Sequence, residues 1–596
     1  MEGDKATWRG KMFTRLLELS RIIEGKRPKG IIERLNQPLD EVYIHGIAIC
    51  FDLDNGQYVG LKMVKGSRDV IYMEASSGNG FAPTAVQKLS KDPASTVNKL
   101  GRCIQALSTT TVALKTMLQK IVANFNEGII LPDVRQKIQE ISPSVDARAY
   151  LFVATIKNDT IYPLYREQEV KEYMVRNALD QYGKAETVEV IENGRTCYVC
   201  GETSKKVYGN FSRLKSYNLD KKGVITGGFS YSQTLKNFPV CEECITAVSS
   251  AYEFAERTLR FPLCGEQYIL LPNLQTEDDE LAEIILHHLQ ERGDTFAGNA
   301  LEKITASENE ILEELANVGR GQDLLTLTLV FFKESNASWK ITAEIPEVLP
   351  SRITEIYSAK RAVEANAYFR MGNKPFYYTF KNLQKFTGSN NKSSRNKFIG
   401  YIDAIFSGGV LEEKAVLTDL VRTILSASKS EPKLLSSTVR DAFATWLFLN
   451  QLNALRKRGE RMTVELTAEG TYGKFIQEHH DFFDAKEKVV AFLTGSYIAK
   501  VLFKQKEALN KSITAECPFF KKLRGLKIDR KRLQTLYPEA RNKIQQYDAF
   551  GLVKDIDPLL AQCWVNCGNK WDISDDEATL AFTLGLSLDY VINNQS

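Results

Sequence analysis

The sequence is poor in the residues and motifs from which catalytic sites are usually built. Its 596 residues include five histidines, four of them in the adjacent pairs His287-His288 and His479-His480. Neighbouring residues point in different directions on a helix, so neither pair resembles a metal cluster. The chain also lacks the phosphate-binding motif G-x-x-x-x-G-K-[ST], the zinc-protease motif H-E-x-x-H and the nucleophile motif G-x-S-x-G. These absences favour a binding protein over an enzyme.

Long hydrophobic runs are missing as well. No apolar stretch reaches the roughly 18 residues that a membrane-spanning helix needs. The first residues, MEGDKATWRGKMF, contain no apolar core of the kind found in signal peptides. A hydrophobic content of 43% and a charged content of 26% are ordinary for globular proteins. We therefore expect a soluble, cytoplasmic protein with no membrane partner.

Cysteine is present in a pattern that predicts a metal site. Cys197 and Cys200 form one C-x-x-C pair, Cys241 and Cys244 form another, and 40 residues separate the two pairs. Two thiolates three positions apart can bind one ion from a tight turn, and Gly201 can adopt the positive φ that such a turn needs. Four thiolates complete a closed, structural Zn²⁺ site with no open position for a substrate. The alternatives are a redox pair or two chance pairs.

Hydrophobic periodicity predicts the fold class and its divisions. The class is α+β, with a mixed N-terminal domain that carries an inserted four-cysteine zinc ribbon and is followed by a C-terminal helical bundle. The predicted regions are an N-terminal α+β region at 1–148, the ribbon-bearing segment at 149–275, an α+β middle region with a basic loop at 276–408, and the bundle at 409–596.

Local turn and strand signals predict parts of the N-terminal sheet. Asp54-Asn55-Gly56 lies between two β-rich runs and predicts a hairpin, because Asn-Gly suits a type I′ turn. Asp52 and Asp54 could bind a metal, but the turn explains them more simply. A third run, Asp69 to Met73, could extend the sheet, and Thr96 to Phe125 is expected to form one long helix.

Further along, the pattern alternates before it becomes helical. Two acidic helices are expected at Asp278–Gln290 and Leu301–Val318, and two long strands should meet at Ser335-Asn336. After Pro350 the pattern is mainly helical. Ser574, with Glu577 three residues later, predicts a capping box that opens the last helix.

The segment KFTGSNNKSSRNKF, from Lys385 to Phe398, is low in apolar residues. It carries Lys385, Lys392, Arg395 and Lys397 and no acidic residue. Small polar residues between cations suit a flexible loop that grips a phosphate backbone. The alternative is a disordered surface loop without a ligand.

The C-terminal bundle separates its charges by sign. Residues Lys500–Lys543 hold 13 Lys or Arg and 4 Asp or Glu, whereas Ile544–Ser596 holds 2 and 8. Leu417, Leu420, Val421 and Ile424 form an apolar stripe that we interpret as core. A basic patch favours nucleic-acid binding through counterion release, and a solvated face is the alternative. Its candidate residues are Lys521, Lys522, Arg524, Lys527, Arg530, Lys531 and Arg532.

The cysteine segment resembles that of a known family. The run CYVCG … FSRLKSYNLDKKG … GGFS … NFPVCEEC … FPLCGEQYILLP is similar to the zinc segment of the large subunit of the type I-B Cascade, the crRNA-guided surveillance complex of CRISPR systems. The similarity continues through LTLVFFKESNASWKITAEIPEVLPSRI, at Leu327–Ile353, and covers roughly Ala149 to Ile353. The N-terminal 148 residues and the C-terminal bundle agree with this family in the order and general character of their regions, but not in specific motifs.

The resemblance implies a non-catalytic subunit of an antiviral ribonucleoprotein complex. Such subunits bind near the 5′ handle of the crRNA, recognise the PAM on double-stranded target DNA and aid R-loop formation. The implied partners are crRNA, target DNA, the backbone and small subunits of Cascade, and a helicase-nuclease. A zinc-dependent nuclease or a nucleotide-polymerising subunit of a related CRISPR system is the alternative. Either would need carboxylates or histidines around an open metal site.

PAM contacts are expected among loops of the N-terminal half. Polar side chains at loop tips can reach base edges, and Arg and Asn can do so through two hydrogen bonds. The Gly- and Ser-rich loop Glu74–Pro83 could also contact phosphate through backbone N–H groups, or could be a plain connection. The PAM candidates are Lys65, Ser67, Arg68, Ser77 and Asn79.

Met462 is the only methionine after Met371. In complexes of the resembled kind, a small helical subunit can be a separate product of the large-subunit gene. We therefore expect an internal start at Met462, whose product would span 462–596. The alternative is that Met462 is an ordinary residue that follows a helix ending near Arg458.

Overall fold

The computed structural model describes residues 4–25, 29–75, 80–185, 187–211, 214–215, 217, 230–274, 325–335, 338–370, 375–387, 392–457, 470–511, 516–523, 525–568 and 571–593. They divide into two compact units. The first contains residues 4–259 and 333–341, and the second contains 260–274, 325–332 and 342–593. The predicted class is confirmed, because the chain is mixed α+β with a cysteine cluster and a helical C-terminal region.

A five-stranded sheet forms the centre of the first unit. Its strands are β1 (His45–Asp52), β2 (Tyr58–Lys65), β3 (Val86–Lys88), β4 (Ala149–Lys157) and β5 (Thr160–Pro163). The order is β2-β1-β4-β3, and β5 also pairs with β4. The β1–β4 pair is parallel, and the other pairs are antiparallel. The two central strands are almost entirely buried, as continuous apolar runs predict.

The hairpin predicted at Asp54-Asn55-Gly56 is confirmed, but the type I′ turn is wrong, because Asn55 does not have the positive φ that this turn needs. Gly56 has a φ of +71°, and the Asp52 carboxylate accepts hydrogen bonds of 3.0 Å from the backbone N–H groups of Asp54 and Asn55. Asp54 itself forms an ion pair with Lys157 at 2.9 Å. Asp52 therefore stabilises the turn, which is the simpler of its two interpretations.

The prediction of a strand at Asp69–Met73 is wrong. Val70 and Tyr72 are buried, but the backbone of this segment bonds outside the sheet. The Tyr72 carbonyl accepts from Gln37 N–H at 2.8 Å, and Tyr72 N–H donates to Asn36 Oδ1 at 2.9 Å. Asn36 and Gln37 thus satisfy the backbone hydrogen-bonding groups of Tyr72, which leaves none of them for pairing with the sheet. The third strand in chain order is β3 instead.

The helices of the first unit are α1 (Asp4–Glu24), α2 (Ile31–Leu35), α3 (Pro93–Thr110), α4 (Lys115–Asn126), α5 (Ile130–Ile141), α6 (Gln168–Gly183) and α7 (Glu242–Thr258). The prediction of one helix over Thr96–Phe125 is wrong, because α3 and α4 are separate. The hydroxyls of Thr110 and Thr111 donate to the Leu107 carbonyl and compete with helix continuation. The Glu169 carboxylate then accepts hydrogen bonds from the three backbone N–H groups of residues 112–114, just before α4 begins. These bonds satisfy the N–H groups at the start of the second helix.

A small ribbon follows α6. Its strands are β6 (Lys184–Ala185), β7 (Val188–Glu189), β8 (Ile191–Arg195), β9 (Lys205–Tyr208) and β10 (Val240–Cys241). Strands β10, β9 and β8 form an antiparallel three-stranded sheet in that order. The ribbon brings the two cysteine pairs together, because β10 carries Cys241 alongside Val207 of β9.

A four-stranded sheet comes next in the chain. Its order is β11 (Arg260–Leu263), β12 (Glu266–Leu274), β13 (Leu325–Ser335) and β14 (Ser338–Val348). The two long strands predicted on either side of Ser335 are confirmed. The acidic helices expected at Asp278–Gln290 and Leu301–Val318 lie outside the described residues.

The remainder of the second unit is helical, as predicted. Its helices are α8 (Pro350–Ala365), α9 (Phe380–Thr387), α10 (Lys392–Ser407), α11 (Glu413–Ser430), α12 (Leu435–Gln451), α13 (Thr471–Glu478), α14 (Lys486–Ala508), α15 (Pro518–Lys522), α16 (Arg530–Gln546), α17 (Asp557–Cys567) and α18 (Asp575–Asn593). A short parallel pair joins β15 (Leu411–Glu412) to β16 (Leu455–Arg456). Across the described parts of the chain, no helix combines the length and apolar character of a membrane span.

Two local predictions for this unit have opposite outcomes. The capping box is confirmed, since Ser574 N–H donates to Glu577 Oε2 at 2.8 Å and Glu577 N–H donates to Ser574 Oγ at 3.3 Å. The flexible loop predicted from Lys385 to Phe398 is wrong, because Lys385 lies in α9 and Lys397 in α10. Buried aromatic residues on both helices, including Phe386 and Phe398, hold them in the core.

Helices α14 and α18 pack backbone against backbone at two facing glycines. A Cβ atom built on Gly495 would lie 2.0 Å from the Phe582 carbonyl oxygen, and one built on Gly585 would lie 2.0 Å from the Phe492 carbonyl oxygen. Both neighbours are backbone atoms, so no flexible side chain can move aside. Only glycine therefore permits this separation of the two helices.

We predict that Gly495→Ala and Gly585→Ala each destabilise the second unit. The added methyl group forces the helices apart, and overpacking of this kind typically costs about 1–3 kcal/mol or more. The measurement is urea unfolding of the full-length chain. Gly400→Ala is the matched control, because Gly400 lies exposed in α10 with no atom within 4 Å of an added Cβ. That change should be neutral or stabilising, and equal effects at all three glycines would contradict the prediction.

Candidate metal centre and basic surfaces

The four predicted cysteines converge in the ribbon. The sulfur atoms of Cys197, Cys200, Cys241 and Cys244 all lie within 4.8 Å of one another, and the Cys200 and Cys241 sulfurs are 3.9 Å apart. Tetrahedral zinc with Zn–S bonds of about 2.3 Å places its sulfurs about 3.8 Å apart. Three of the cysteines are buried, and Cys200 is exposed. The arrangement therefore fits one metal ion held by four thiolates.

Each C-x-x-C pair reaches the cluster through a different local structure. At the first pair, Gly201 has a φ of +74°, and its N–H donates to the Cys197 carbonyl at 3.0 Å to close a tight turn. At the second pair, Cys241 caps the N-terminus of α7 and Cys244 lies in its first turn. The positive end of the helix dipole favours thiolate charge at that place. Cys241 N–H also donates to the Cys197 sulfur at 3.4 Å.

Electrostatics within the cluster favours a bound cation. Hydrogen bonds from the Cys241 and Cys244 thiols lower the pKa of Cys197. Hydrogen bonding to the Cys197 sulfur, together with burial, raises the pKa of Cys241 to about 12 and also raises that of Cys244. Ionisation of Cys241 and Cys244 beside the Cys197 sulfur is therefore unfavourable unless a positive charge lies close by. A bound metal cation such as Zn²⁺ would supply that charge and displace the remaining protons.

An aromatic cluster connects the ribbon to the N-terminal helix. The ring of Phe13, on α1, lies 5.0 Å from that of Phe211 and 5.3 Å from that of Phe238. Phe238 also contacts Tyr198, the residue that follows Cys197, at 4.9 Å. Tyr217 completes the cluster by packing edge-on against both phenylalanines of the ribbon insert. The cysteine cluster and α1 are therefore connected through one set of packed aromatic side chains.

The candidate PAM residues differ in accessibility. Lys65 ends β2 and Arg68 lies in the following turn, and both are exposed. Ser67 is buried, so the expectation that it extends from a loop tip is wrong. Ser77 and Asn79 lie outside the described residues. Lys65 and Arg68 are the candidates that the structure leaves accessible.

The cations predicted between Lys385 and Lys397 are anchored by acidic residues distant in sequence. Lys385 forms an ion pair with Asp441 at 3.2 Å, and Lys397 forms one with Asp419. Lys392 and Arg395 lie in the first turn of α10. Sequence reasoning missed Asp419 on α11, which pairs with both Lys397 of α10 and Arg422 of its own helix. The available signal was a carboxylate within the predicted apolar stripe Leu417–Ile424.

Most of the C-terminal basic candidates have structural partners. Lys522 pairs with Glu539 at 3.1 Å, and Lys527 pairs with Asp575 at 3.4 Å. Arg530 donates to the Gly568 carbonyl, and Arg532 donates to the carbonyls of Lys522 and Lys527. Lys521 and Lys531 are exposed, and Arg524 lies outside the described residues. Part of this positive charge therefore stabilises loops and helix ends.

The histidine pair that the structure describes, His479-His480, does not form a metal site. His479 is buried, and its ring contacts the Phe475 carbonyl through Nδ1 and Asn366 through Nε2. Burial lowers the pKa of His479. His480 is exposed beside Asp481.

Two family models match the chain. The central domain of CRISPR-associated protein TM1802 (cas_TM1802) matches residues 194–348, and its C-terminal domain matches residues 378–596. The first match contains all four clustered cysteines, and the second contains most of the helical region. Together they cover more than half of the sequence, and the chain belongs to this CRISPR-associated family. No curated protein matches the chain.

We predict that Cys200→Ser releases the metal and destabilises the first unit. Cys200 is exposed, so the change removes a ligand without leaving a cavity in the core. Metal binding supplies folding free energy, which reaches about 10–16 kcal/mol in small zinc domains. Zinc content per chain and thermal unfolding measure the two effects.

Cys264→Ser is the control for the zinc experiment, since Cys264 is half-buried and lies outside the cluster. The control should keep one zinc per chain. Well-folded wild-type protein without zinc would contradict the prediction, as would a Cys200→Ser variant that keeps its metal. Cys197→Ser and Cys241→Ser should also lose the ion.

Proposed function

We propose that this chain is the non-catalytic large subunit of a type I-B CRISPR interference complex. In this role it binds near the 5′ handle of crRNA, recognises the PAM on double-stranded DNA, aids R-loop formation and recruits a helicase-nuclease. The proposal is carried by the family match that encloses a four-cysteine cluster. Four protein ligands fill a tetrahedral zinc site, so the ion would have a structural role. Exposed cations in both units provide surfaces for nucleic acid.

The proposal is tested by co-expressing the tagged chain with the other Cas proteins of its locus and a CRISPR array. We expect crRNA and the backbone and small subunits to co-purify with it. The assembled complex should bind target DNA only beside a suitable PAM. A chain that assembles with no crRNA complex would refute the proposal. Metal-dependent DNA cleavage by the purified chain, lost on changing Asp52 or Asp54, would support the nuclease alternative.

We predict that Lys65→Ala and Arg68→Ala alter PAM discrimination in the assembled complex. Both side chains are exposed at the end of β2 and can reach base edges. Losing one base contact typically costs about 1–3 kcal/mol of discrimination. The measurement is binding to a library of targets that differ only in the PAM. Lys137→Ala removes a half-buried lysine of α5 that pairs with Glu140, and this change should leave the preference unchanged. Equal weakening on every PAM would indicate a phosphate contact instead.

The internal start at Met462 stays a prediction, because Met462 lies outside the described residues. The structure adds a constraint on its product. Phe475 and His479 pack against Tyr368, and Phe482 packs against Trp446. A chain that begins at residue 462 lacks Tyr368 and Trp446. Phe475, His479 and Phe482 would then be exposed to solvent unless another protein surface packs against them. We infer that the short product would be stable only when bound to another subunit.

We predict that Met462→Ala removes a short polypeptide from the purified complex. The change eliminates the internal start codon and leaves the full-length chain. Gel electrophoresis and mass spectrometry of the complex measure the outcome. Met371→Ala, at the preceding methionine, should not affect the short product. A fragment of that size that persists in the Met462→Ala complex, or is absent from the wild type, would refute the internal start.

A further inference from the structure

A buried carboxylate on α11 holds two surface cations. The Asp419 side chain is 2% exposed, and its Oδ1 atom contacts both Lys397 Nζ, at 2.5 Å, and Arg422 Nη1, at 3.3 Å. Its other oxygen, Oδ2, accepts a hydrogen bond of 2.9 Å from the Tyr401 hydroxyl. Lys397 and Tyr401 lie on α10, whereas Arg422 lies one turn beyond Asp419 on α11. The two cations, one from each helix, therefore meet at one oxygen atom of Asp419.

The charges at this place do not balance. One carboxylate faces one ammonium and one guanidinium group, which leaves a net positive charge. Burial, together with the Asp419 charge, raises the pKa of Tyr401, so the phenol stays neutral and acts as a donor. The excess charge lies at the surface, since the Lys397 side chain is 37% exposed and that of Arg422 is 65% exposed.

Both cations keep donors for a ligand. Arg422 contacts Asp419 through Nη1, and within the described residues its Nε and Nη2 groups have no hydrogen-bond partner. The Lys397 ammonium has three donors, of which one contact to Asp419 is present. Guanidinium and ammonium groups side by side suit the oxygen atoms of a phosphate group.

Asp441 provides a comparison within the same unit. It contacts Lys385 at 3.2 Å and Arg440 at 3.5 Å. However, Arg440 is 18% exposed and lies over the Phe376 ring, at 4.9 Å from its centre. That carboxylate thus presents one surface cation, whereas Asp419 presents two. The contact with Lys397 is enough to anchor α10 to α11, so the second cation at Asp419, Arg422, is not needed for that purpose.

We propose that Lys397 and Arg422 form a binding site for a phosphodiester group of nucleic acid, and that Asp419 is the residue that positions them. The inference rests on the proposed function, which supplies RNA and DNA as ligands. Like charges repel, so without the shared carboxylate the two side chains would separate and lose their common geometry. Contacts of this kind fix a nucleic acid in place without reading its sequence.

The first experiment removes the two cations. The variant Lys397→Gln/Arg422→Gln is compared with wild type as full-length protein, using fluorescently labelled mixed-sequence single-stranded RNA and duplex DNA between 50 and 200 mM KCl. We expect the variant to bind the recognised nucleic acid, whether RNA or duplex DNA, more weakly than wild type, and by the same factor for every sequence. For duplex DNA, the slope of log affinity against log salt should fall by about one unit per lost contact. The two probes distinguish RNA from DNA as the source of the phosphate.

A matched control removes the same number of charges elsewhere. Arg456 is 64% exposed and pairs with the exposed Glu412 at 2.9 Å, and Lys504 pairs with Glu507 at 2.7 Å. The variant Arg456→Gln/Lys504→Gln should keep the wild-type salt dependence. If both double variants behave alike, the effect is one of total charge and the proposed site is refuted.

The second experiment tests whether Asp419 positions the two cations, by asking whether Asp419→Asn strengthens or weakens nucleic-acid binding. Asp419→Asn removes a negative charge, so a purely electrostatic account predicts tighter binding of nucleic acid. Positioning predicts weaker binding instead, because the two cations lose their common anchor. Tighter binding by a folded Asp419→Asn protein overturns the positioning role. If this variant does not fold, the single variants Lys397→Gln and Arg422→Gln, at exposed positions, still decide whether the site exists.

The outcomes separate this inference from the proposed function. If the wild-type chain assembles with crRNA but the Lys397→Gln/Arg422→Gln variant binds like its control, only the phosphate site is refuted. If the wild-type chain neither assembles with crRNA nor binds either probe, the proposed function and this inference both fail.

Discussion

The tightest constraint on the first unit is the proximity of four sulfur atoms. The sulfur atoms of Cys197, Cys200, Cys241 and Cys244 lie within 4.8 Å of one another, which is close enough for all four to bind one metal ion. The cluster joins a tight turn, a strand and the first turn of α7. Through Tyr198 and Phe238 it also supports the aromatic contacts of Phe13 on α1. The cysteine cluster and its aromatic neighbours thereby connect elements that are almost 200 residues apart in sequence.

The second unit contains an unusually close contact between two helices. The facing glycines of α14 and α18 bring two backbones into contact, and the surrounding helices pack on that pair. Buried acidic residues then link helices while holding cations at the surface, as Asp419 does for Lys397 and Arg422. Packing and surface charge are therefore coupled in this unit, because the residue that anchors two helices also sets where positive charge is presented.

Local sequence patterns correctly predicted the structural features that depend only on neighbouring residues. The Asn-Gly hairpin, the Ser574 capping box and the two C-x-x-C pairs each need only a few adjacent residues, and all three were found in the structure. The failures involve distant partners. Asn36 bonds the segment expected to be a strand, Glu169 divides the predicted long helix, and Asp419 anchors Lys397 of the expected loop. No local pattern contains these partners, so periodicity alone could not find them.

The contact between Phe13 and Phe238 has a consequence for synthesis of the chain. The ribosome makes α1 first, but its aromatic partner follows about 225 residues later, or roughly 11–45 s at a typical rate of 5–20 residues per second. The second cysteine pair emerges directly after Phe238. Metal binding by the four cysteines and packing of Phe13 on Phe238 would therefore become possible at almost the same moment of synthesis. The N-terminal helix thus has to wait for the segment that completes the cysteine cluster before it can make this contact.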